Sequence, residues 1–191
     1  MKTNQQFKIL RQLKNVIPEN ERHNFSITDI KIGGFLRIKF YGKDSLFYVE
    51  DIYTYKYKKE KWYELKLFNV LTGETSFLEY EIDDTIEYYF TEKSLKKREW
   101  PASLSEIQDM AEEEDGSIYF NGVEYWYEDD YKAKFTRASS DKEEKVYIYE
   151  FEPDNEEDGG ISFELWDDGD GEAFFYKKLD PTIIEVVSTG N

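Results

Sequence analysis

From Ile30 onward the chain alternates apolar and polar residues with a period of two, and it does so twice in the same order. "FYVED" at 47–51 matches "YWYED" at 125–129, each just after a glycine turn, at Gly42 and Gly122. "WYELKLF" at 62–68 matches "VYIYEFE" at 146–152, and "FLEYEIDD" at 77–84 matches "ISFELWDD" at 161–168. "EYYFTEK" at 87–93 matches "AFFYKKL" at 173–179. Alternation marks antiparallel strands with one buried and one wet face. Ordered recurrence marks an internal duplication. The chain therefore reads as mainly β with minor α: two tandem, pseudo-symmetric antiparallel β-units forming twisted sheets or partly open barrels. Superposing them places Tyr48 opposite Trp126, and Leu78, Tyr80 and Ile82 opposite Ile161, Phe163 and Leu165.

Two segments break the period. Residues 3–17 carry Phe7, Leu10, Leu13 and Ile17 on one helical face, flanked by Lys8, Arg11 and Lys14. Pro18 ends that helix, because proline disfavours helix in the residue before it. In "PASLSEIQDMAEEEDG", Ser103 and Glu106 form a capping box ahead of a Leu104, Ile107, Met110 stripe, which predicts a helix over about 104–113. The organisation that follows is an N-terminal helix and linker (1–25), a first β-unit (26–98), a helical connector (99–115), a second β-unit (116–184) and a C-terminal tail (185–191). The expected core is Leu36, Ile38, Phe47, Val49, Leu65, Leu67, Leu78, Tyr80, Trp126, Ile148, Phe163 and Leu165.

Composition decides between an ordered and a disordered chain. Aromatics make up 18% of the 191 residues and apolar residues 39%, enough for a core despite 35% charged residues. The absence of cysteine rules out disulfides, thiolate nucleophiles and Cys-ligated metals. No apolar stretch approaches the ~18 residues of a membrane span, so a cytoplasmic location is expected. The net charge of −17 is uneven: residues 1–100 sum to +2 and residues 101–191 to −19. The acidic half should repel nucleic acid, so no direct nucleic-acid binding is expected.

The motifs are weighed one at a time. "LWDDGDGEAFFY" at 165–176 looks like a calcium loop. Counted from Asp168, however, its sixth position is Ala173 where Gly is needed, and its twelfth is Leu179 where Glu is needed. It reads as a hairpin turn, since Asp and Gly tolerate positive φ. His23 is the only histidine and cannot build a multi-His zinc site; a solvated loop residue is the plainer reading. No P-loop, no G-x-G-x-x-G and no G-x-S-x-G elbow is present. No cofactor, metal or catalytic residue is assigned. Paired carboxylates abound, and sequence cannot select a glycosidase pair from 42 acids. The recurrence of Glu50-Asp51 as Glu128-Asp129 marks strand ends that bind a partner in both units, or strand termination alone. Tyr53, Tyr55, Tyr57, Tyr125 and Tyr127 suit a stacking platform, though on a half-buried sheet such rings more often pack in the core.

"SITDIKIGGFLRI", "FYVED", "WYELKLFNVLTGETSFLEYE", "NGVEYWYED", "VYIYEFE", "ISFELWDDGDGEAFFY" and "KKLDPTII" together resemble the bacterial domain-of-unknown-function family DUF4178, over about residues 26–184. The W-Y-E strand before a "TGE" turn and the W-D-D-G turn leading to "KKLDP" carry most of the likeness. The helical N-terminus and the acidic second half depart from the pattern. The resemblance implies no assigned activity. Its frequent genomic neighbourhood of phage-shock-like, membrane-remodelling proteins implies an accessory role in envelope stress.

The leading expectation is a non-catalytic protein-binding module, with Glu50, Asp51, Glu128, Asp129, Phe7, Leu10 and Leu13 as candidate partner-binding residues. The alternative is an acidic decoy that mimics nucleic acid and occludes a basic protein. A glycan-acting hydrolase or glycan-binding module comes third, discriminated by a cleft holding one acid of raised pKa. The N-terminal stripe must bury itself on the chain's own β-core, on a second copy (a homodimer) or on an outside partner. Its four basic residues, Lys2, Lys8, Arg11 and Lys14, would give at most weak peripheral membrane contact.

Overall fold

The computed structural model describes residues 2–11, 17–155, 159–167 and 169–190. The first repeat is a meander of five antiparallel strands: β1 (Phe35–Phe40), β2 (Lys43–Tyr57), β3 (Glu60–Asn69), β4 (Thr75–Ile82) and β5 (Ile86–Leu95). The second repeats that order with β6 (Ser117–Phe120), β7 (Val123–Arg137), β8 (Ser140–Glu152), β9 (Gly160–Trp166) and β10 (Gly171–Lys178). The last strands of the two meanders pair, so all belong to one sheet of order β11-β1-β2-β3-β4-β5-β10-β9-β8-β7-β6. β11 (Ile184–Ser188) comes from the segment expected as a tail, 185–191, and pairs with the outer edge of β1. The sheet also turns back on itself. Tyr53–Lys56 at the end of β2 pairs with Lys134–Arg137 at the end of β7. These four residue pairs join the eight strands β2–β5 and β7–β10 into a partial ring, not a barrel.

Local chemistry explains the matching hairpins. Tyr41-Gly42 and Asn121-Gly122 all have positive φ and join Phe40 to Lys43 and Phe120 to Val123. Such two-residue turns match the right-handed twist of their strands. In the second strand of each repeat a bulge inserts one residue: Glu50 in β2, between Val49 and Asp51, and Glu128 in β7, between Tyr127 and Asp129. A bulge reverses which face the following residues point to. Phe47 and Val49 enter the first repeat's core, whereas Tyr53 and Tyr55, of the same parity, enter a different cluster inside the ring.

Three apolar clusters organise the sheet. The first repeat packs Leu36, Ile38, Leu65, Leu67 and Leu78 together, and the second packs Phe151, Ile161 and Phe163 against the helix α2 (Leu104–Glu113) through Ile107. α2 occupies the expected span, and Ser103 and Glu106 close its capping box. The third cluster lies inside the ring and draws on both repeats: Tyr53, Tyr55 and Trp62 with Ala133, Phe135, Val146 and Ile148. The N-terminal helix α1 (Lys2–Leu10) covers the first part of the expected 3–17, of which residues 12–16 lie outside the described residues. It docks through Ile9, which joins Phe35, Phe68, Val70 and Val187, while Gln6 Nε2 donates to the carbonyls of Val70 and Leu71.

Two expectations need correction. Trp126 is 44% exposed and Leu165 half-buried, so neither is a core residue of the expected kind. The bulges do set Tyr48 opposite Trp126. The ladders, however, pair Val49 through Leu67 to Ser76, and Tyr127 through Phe151 to Ile161. Leu78 therefore corresponds to Phe163 and Tyr80 to Leu165, a slip of two residues from the expected superposition. A two-residue slip leaves every side chain on its own face, so alternation alone cannot detect it.

Candidate functional site

On the wet face of β3 the alternation sets Trp62, Glu64 and Lys66 in a row, and on β4 Phe77, Glu79 and Glu81. The partial ring turns this face inward. It encloses a cavity of about 270 Å3 where the two repeats meet. Glu64 and Glu79 reach it from the first repeat, and Glu150 and Glu164 from the second. Glu79 and Glu164 are repeat equivalents by the ladder register. Glu60, Glu81, Asp129 and Glu152 are exposed and line the same cavity toward solvent. Aromatic walls come from Tyr57, Trp62, Tyr89, Tyr131, Phe174 and Tyr176. No Lys, Arg or His lines it among the described residues.

The carboxylates have few hydrogen-bond donors. Tyr55 Oη lies 3.2 Å from Glu164 Oε1 and 3.5 Å from Glu64 Oε1. It carries one proton, so it can serve only one of the two at a time. Tyr131 Oη donates to Glu150 Oε1 at 2.9 Å. Among the described residues no side-chain hydrogen bond to Glu79 acts against its burial. Burying a carboxylate without a counter-charge favours its neutral form. Desolvation is the main cause throughout: it holds Glu64 and Glu79 well above the usual carboxylate range, with the neighbouring carboxylates Glu164 and Glu150 adding to it. Glu150 is pushed up to about 7 by burial, against the opposing hydrogen bond from Tyr131. Glu164 is pushed up to about 8 by burial and by Glu172, against the hydrogen bond from Tyr55. Burial also raises Tyr55, Tyr131 and Tyr176, so these hydroxyls stay protonated at neutral pH.

No group of three or more acidic or histidine side chains among the described residues converges closely enough to hold a metal ion. The arrangement is a set of spaced negative sites between aromatic faces, suited to binding an extended positive group by charge and by cation–π contact. A ring at the edge of the cavity already does this: Lys58 Nζ lies 4.4 Å from the centroid of Tyr57.

The candidate residues read from sequence fall elsewhere. Glu50 and Glu128 are the inserted bulge residues, in mid-strand and not at strand ends. Glu50 pairs with Lys66 at 3.8 Å. Asp51 and Asp129 follow the bulges, and each accepts the next residue's amide, from Ile52 at 2.9 Å and Asp130 at 2.8 Å. Asp51 is buried and also accepts from Ser139 N at 3.1 Å and from Ser139 Oγ, fastening the β7–β8 turn to β2. Asp129 lies at the cavity. Phe7 and Leu10 are 59% and 42% exposed, on the side of α1 away from Ile9. Leu13 lies outside the described residues. The sequence reading missed Glu64, Glu79, Glu150 and Glu164. Their one signal was a glutamate recurring on the same strand face as large aromatics, which alternation by itself assigns to solvent.

Another hollow, of about 450 Å3, lies beside the turn at 19–27. Its Arg22 and Arg37 both pair with Glu185, at 3.3 and 3.0 Å, and its His23 is exposed. The calcium-like segment is a hairpin turn: Gly169, with φ of 89°, donates to the Trp166 carbonyl, and Trp166 N donates to the Asp170 carbonyl. Asp167 pairs with Lys132 at 3.5 Å, and Asp168 lies outside the described residues.

Fold and site together define a duplicated, partly ringed antiparallel β protein with an acidic, aromatic-lined cavity at the junction of its repeats. The sequence model of the family described as a domain of unknown function (DUF4178) matches residues 40–179, and the chain belongs to that family. No curated protein and no solved structure matches it. Among the described residues no helix is long and apolar enough to cross a membrane.

Proposed function

We propose that this protein is a non-catalytic binding module that engages a protein partner through a positively charged group received in the cavity between its repeats. The observation that carries this reading is the set of eight lining carboxylates, drawn from both repeats, with no cation among the described lining residues. The reading places the protein in the cytoplasm as an accessory to bacterial envelope or membrane stress, the setting that the family resemblance implies. The decoy reading gains nothing from Glu64, Glu79, Glu150 and Glu164, which line the cavity between the repeats and not an outer surface.

A photo-crosslinking residue in place of Glu81, at the cavity's exposed rim, tests the proposal. The expected result is a discrete crosslinked partner in native lysate, lost at high salt and lost when Glu79→Gln is added. A crosslink indifferent to both overturns the reading. One observation favours a second reading, a glycan-acting hydrolase: Glu150 and Glu164 are acids of raised pKa facing aromatic walls, as a general acid requires. Release of reducing sugar from a glycan panel, abolished in Glu164→Gln, would establish it in place of the first.

A further inference from the structure

We infer that the cavity between the repeats is a receptor site for a protonated alkylamine, whose ammonium meets its carboxylates while the methylene stem packs on its rings. This inference names the ligand chemistry of the binding site proposed above and rests on that reading.

The excess of carboxylates over donors and cations in the cavity lining points to a ligand. Glu64 and Glu164 are each only 7% exposed, and both line the cavity. A single Tyr55 proton lies between them. One of the two is therefore always a buried carboxylate without a protein donor, unless it holds a proton of its own. Glu79, half-buried beside them, shows no hydrogen-bond donor among the described residues. Buried carboxylates of this kind are costly unless paired and hydrogen-bonded. Within the described chain Glu64 and Glu164 share that one hydroxyl and no lining cation, so any further complement comes from outside as a proton or a cation.

Geometry then selects among cations. A point ion needs several oxygens at one centre, and no such convergence exists among the described residues. The negative sites are spread over four strands, Glu64 on β3, Glu79 on β4, Glu150 on β8 and Glu164 on β9. A chain of methylenes bearing ammonium groups satisfies spaced carboxylates while its stem packs on rings. The walls supply those rings: Trp62 stacks on Tyr55 at 5.4 Å between centroids, Tyr57 stacks on Tyr131 at 5.3 Å, and the chain's own Lys58 ammonium sits on Tyr57. An ammonium offers three donors in any direction, whereas a guanidinium is a rigid planar fork suited to one bidentate carboxylate. The same alkylammonium chemistry is offered by a free linear polyamine and by a lysine side chain of a partner.

Calorimetric titration of the full chain at low ionic strength tests this with spermidine, an Nα-acetyl-lysine amide, the corresponding arginine amide and magnesium chloride as probes. Spermidine or the lysine amide should bind with one-site saturation, quench Trp62 fluorescence and release protons, seen as a heat that differs between buffers of different ionisation enthalpy. Spermidine alone identifies a free polyamine as the source. The lysine amide binding as well identifies a partner's side chain. Glu79→Gln should weaken binding by about tenfold or more, about 1.4 kcal/mol, and Glu81→Gln at the rim by less. Circular dichroism confirms that both variants fold. Equal spermidine affinity in the native chain and in Glu79→Gln means a surface counterion effect and overturns the inference. Tighter binding of magnesium or of the arginine amide overturns the amine assignment yet leaves the cationic binding site standing. Silence from every probe overturns both.

Discussion

Glu64 of the first repeat and Glu164 of the second share one hydroxyl: Tyr55 Oη stands 3.5 Å from the first carboxylate and 3.2 Å from the second. One hydroxyl proton thus serves two buried acids, one from each repeat. The chain tolerates it because the strands around it are held by pairings that do not involve these side chains.

That deficit sets the pH dependence. Glu150 and Glu164 are raised from an ordinary value of 4.5 to about 7 and about 8. Above pH 4.5 the unfolded chain releases these protons while the folded chain keeps them. Their contribution is therefore complete below pH 4.5 and is lost as pH rises through the folded values, between about pH 4.5 and 8. The loss is on the order of a few kcal/mol. Scanning calorimetry should give a higher melting temperature near pH 5 than near pH 8, with a shallower slope in Glu164→Gln. Equal slopes in the two proteins would remove Glu164 as a cause.

Removing the unpaired charge should stabilise the empty protein. Glu79→Gln keeps the side chain's volume and deletes the group that has no described donor, so its melting temperature at pH 8 should rise. The expected gain is about 1–3 kcal/mol, read by urea unfolding. A loss of stability would mean that Glu79 holds a structural partner.

Asp51 should matter to folding and not to ligand binding. Its carboxylate accepts both the amide and the hydroxyl of Ser139, across the short β2–β7 seam that joins the ring. Asp51→Ala leaves that turn's amide unpaired and should cost about 1–3 kcal/mol. Ser139→Ala should cost about 1 kcal/mol. Together they should cost less than the sum, because they share one contact. Denaturant midpoints for the two single variants and the double variant read the coupling.

On α1, Ile9 and Phe7 should separate cleanly. Ile9 is buried among Phe35, Phe68, Val70 and Val187, so Ile9→Ala should cost about 2 kcal/mol or more. Phe7 faces solvent, and Phe7→Ala should stay within about 0.5 kcal/mol. Light scattering gives the mass of each. A change of mass in Phe7→Ala alone would show that the exposed face of α1 joins two copies.

Calcium should do nothing specific at the Trp166–Asp170 turn. Titration at physiological salt should give no one-site isotherm, and one that disappears in Asp167→Asn would overturn the hairpin reading.

The sequence by itself determined the strands, their order within each repeat, the connecting helix and its cap, and the duplication. These follow from alternation, from turn residues and from Ser103 with Glu106, all of which act over a few neighbours. It also fixed the family, through short motifs such as the W-Y-E strand. Tertiary structure decided what the alternation could not carry. A bulge at Glu50 or Glu128 changes the face of everything after it without altering the period of the letters, so Tyr53 and Tyr55 leave the repeat's own core. The pairing of β5 with β10 and of β2 with β7 depends on contacts far apart in sequence. Only that closure turns the side bearing Glu64, Glu79, Glu150 and Glu164 from a wet surface into the wall of a cavity. A glutamate on the polar side of a strand reads as solvent-facing until a second sheet segment covers it, and burial is a property of the covering as much as of the residue.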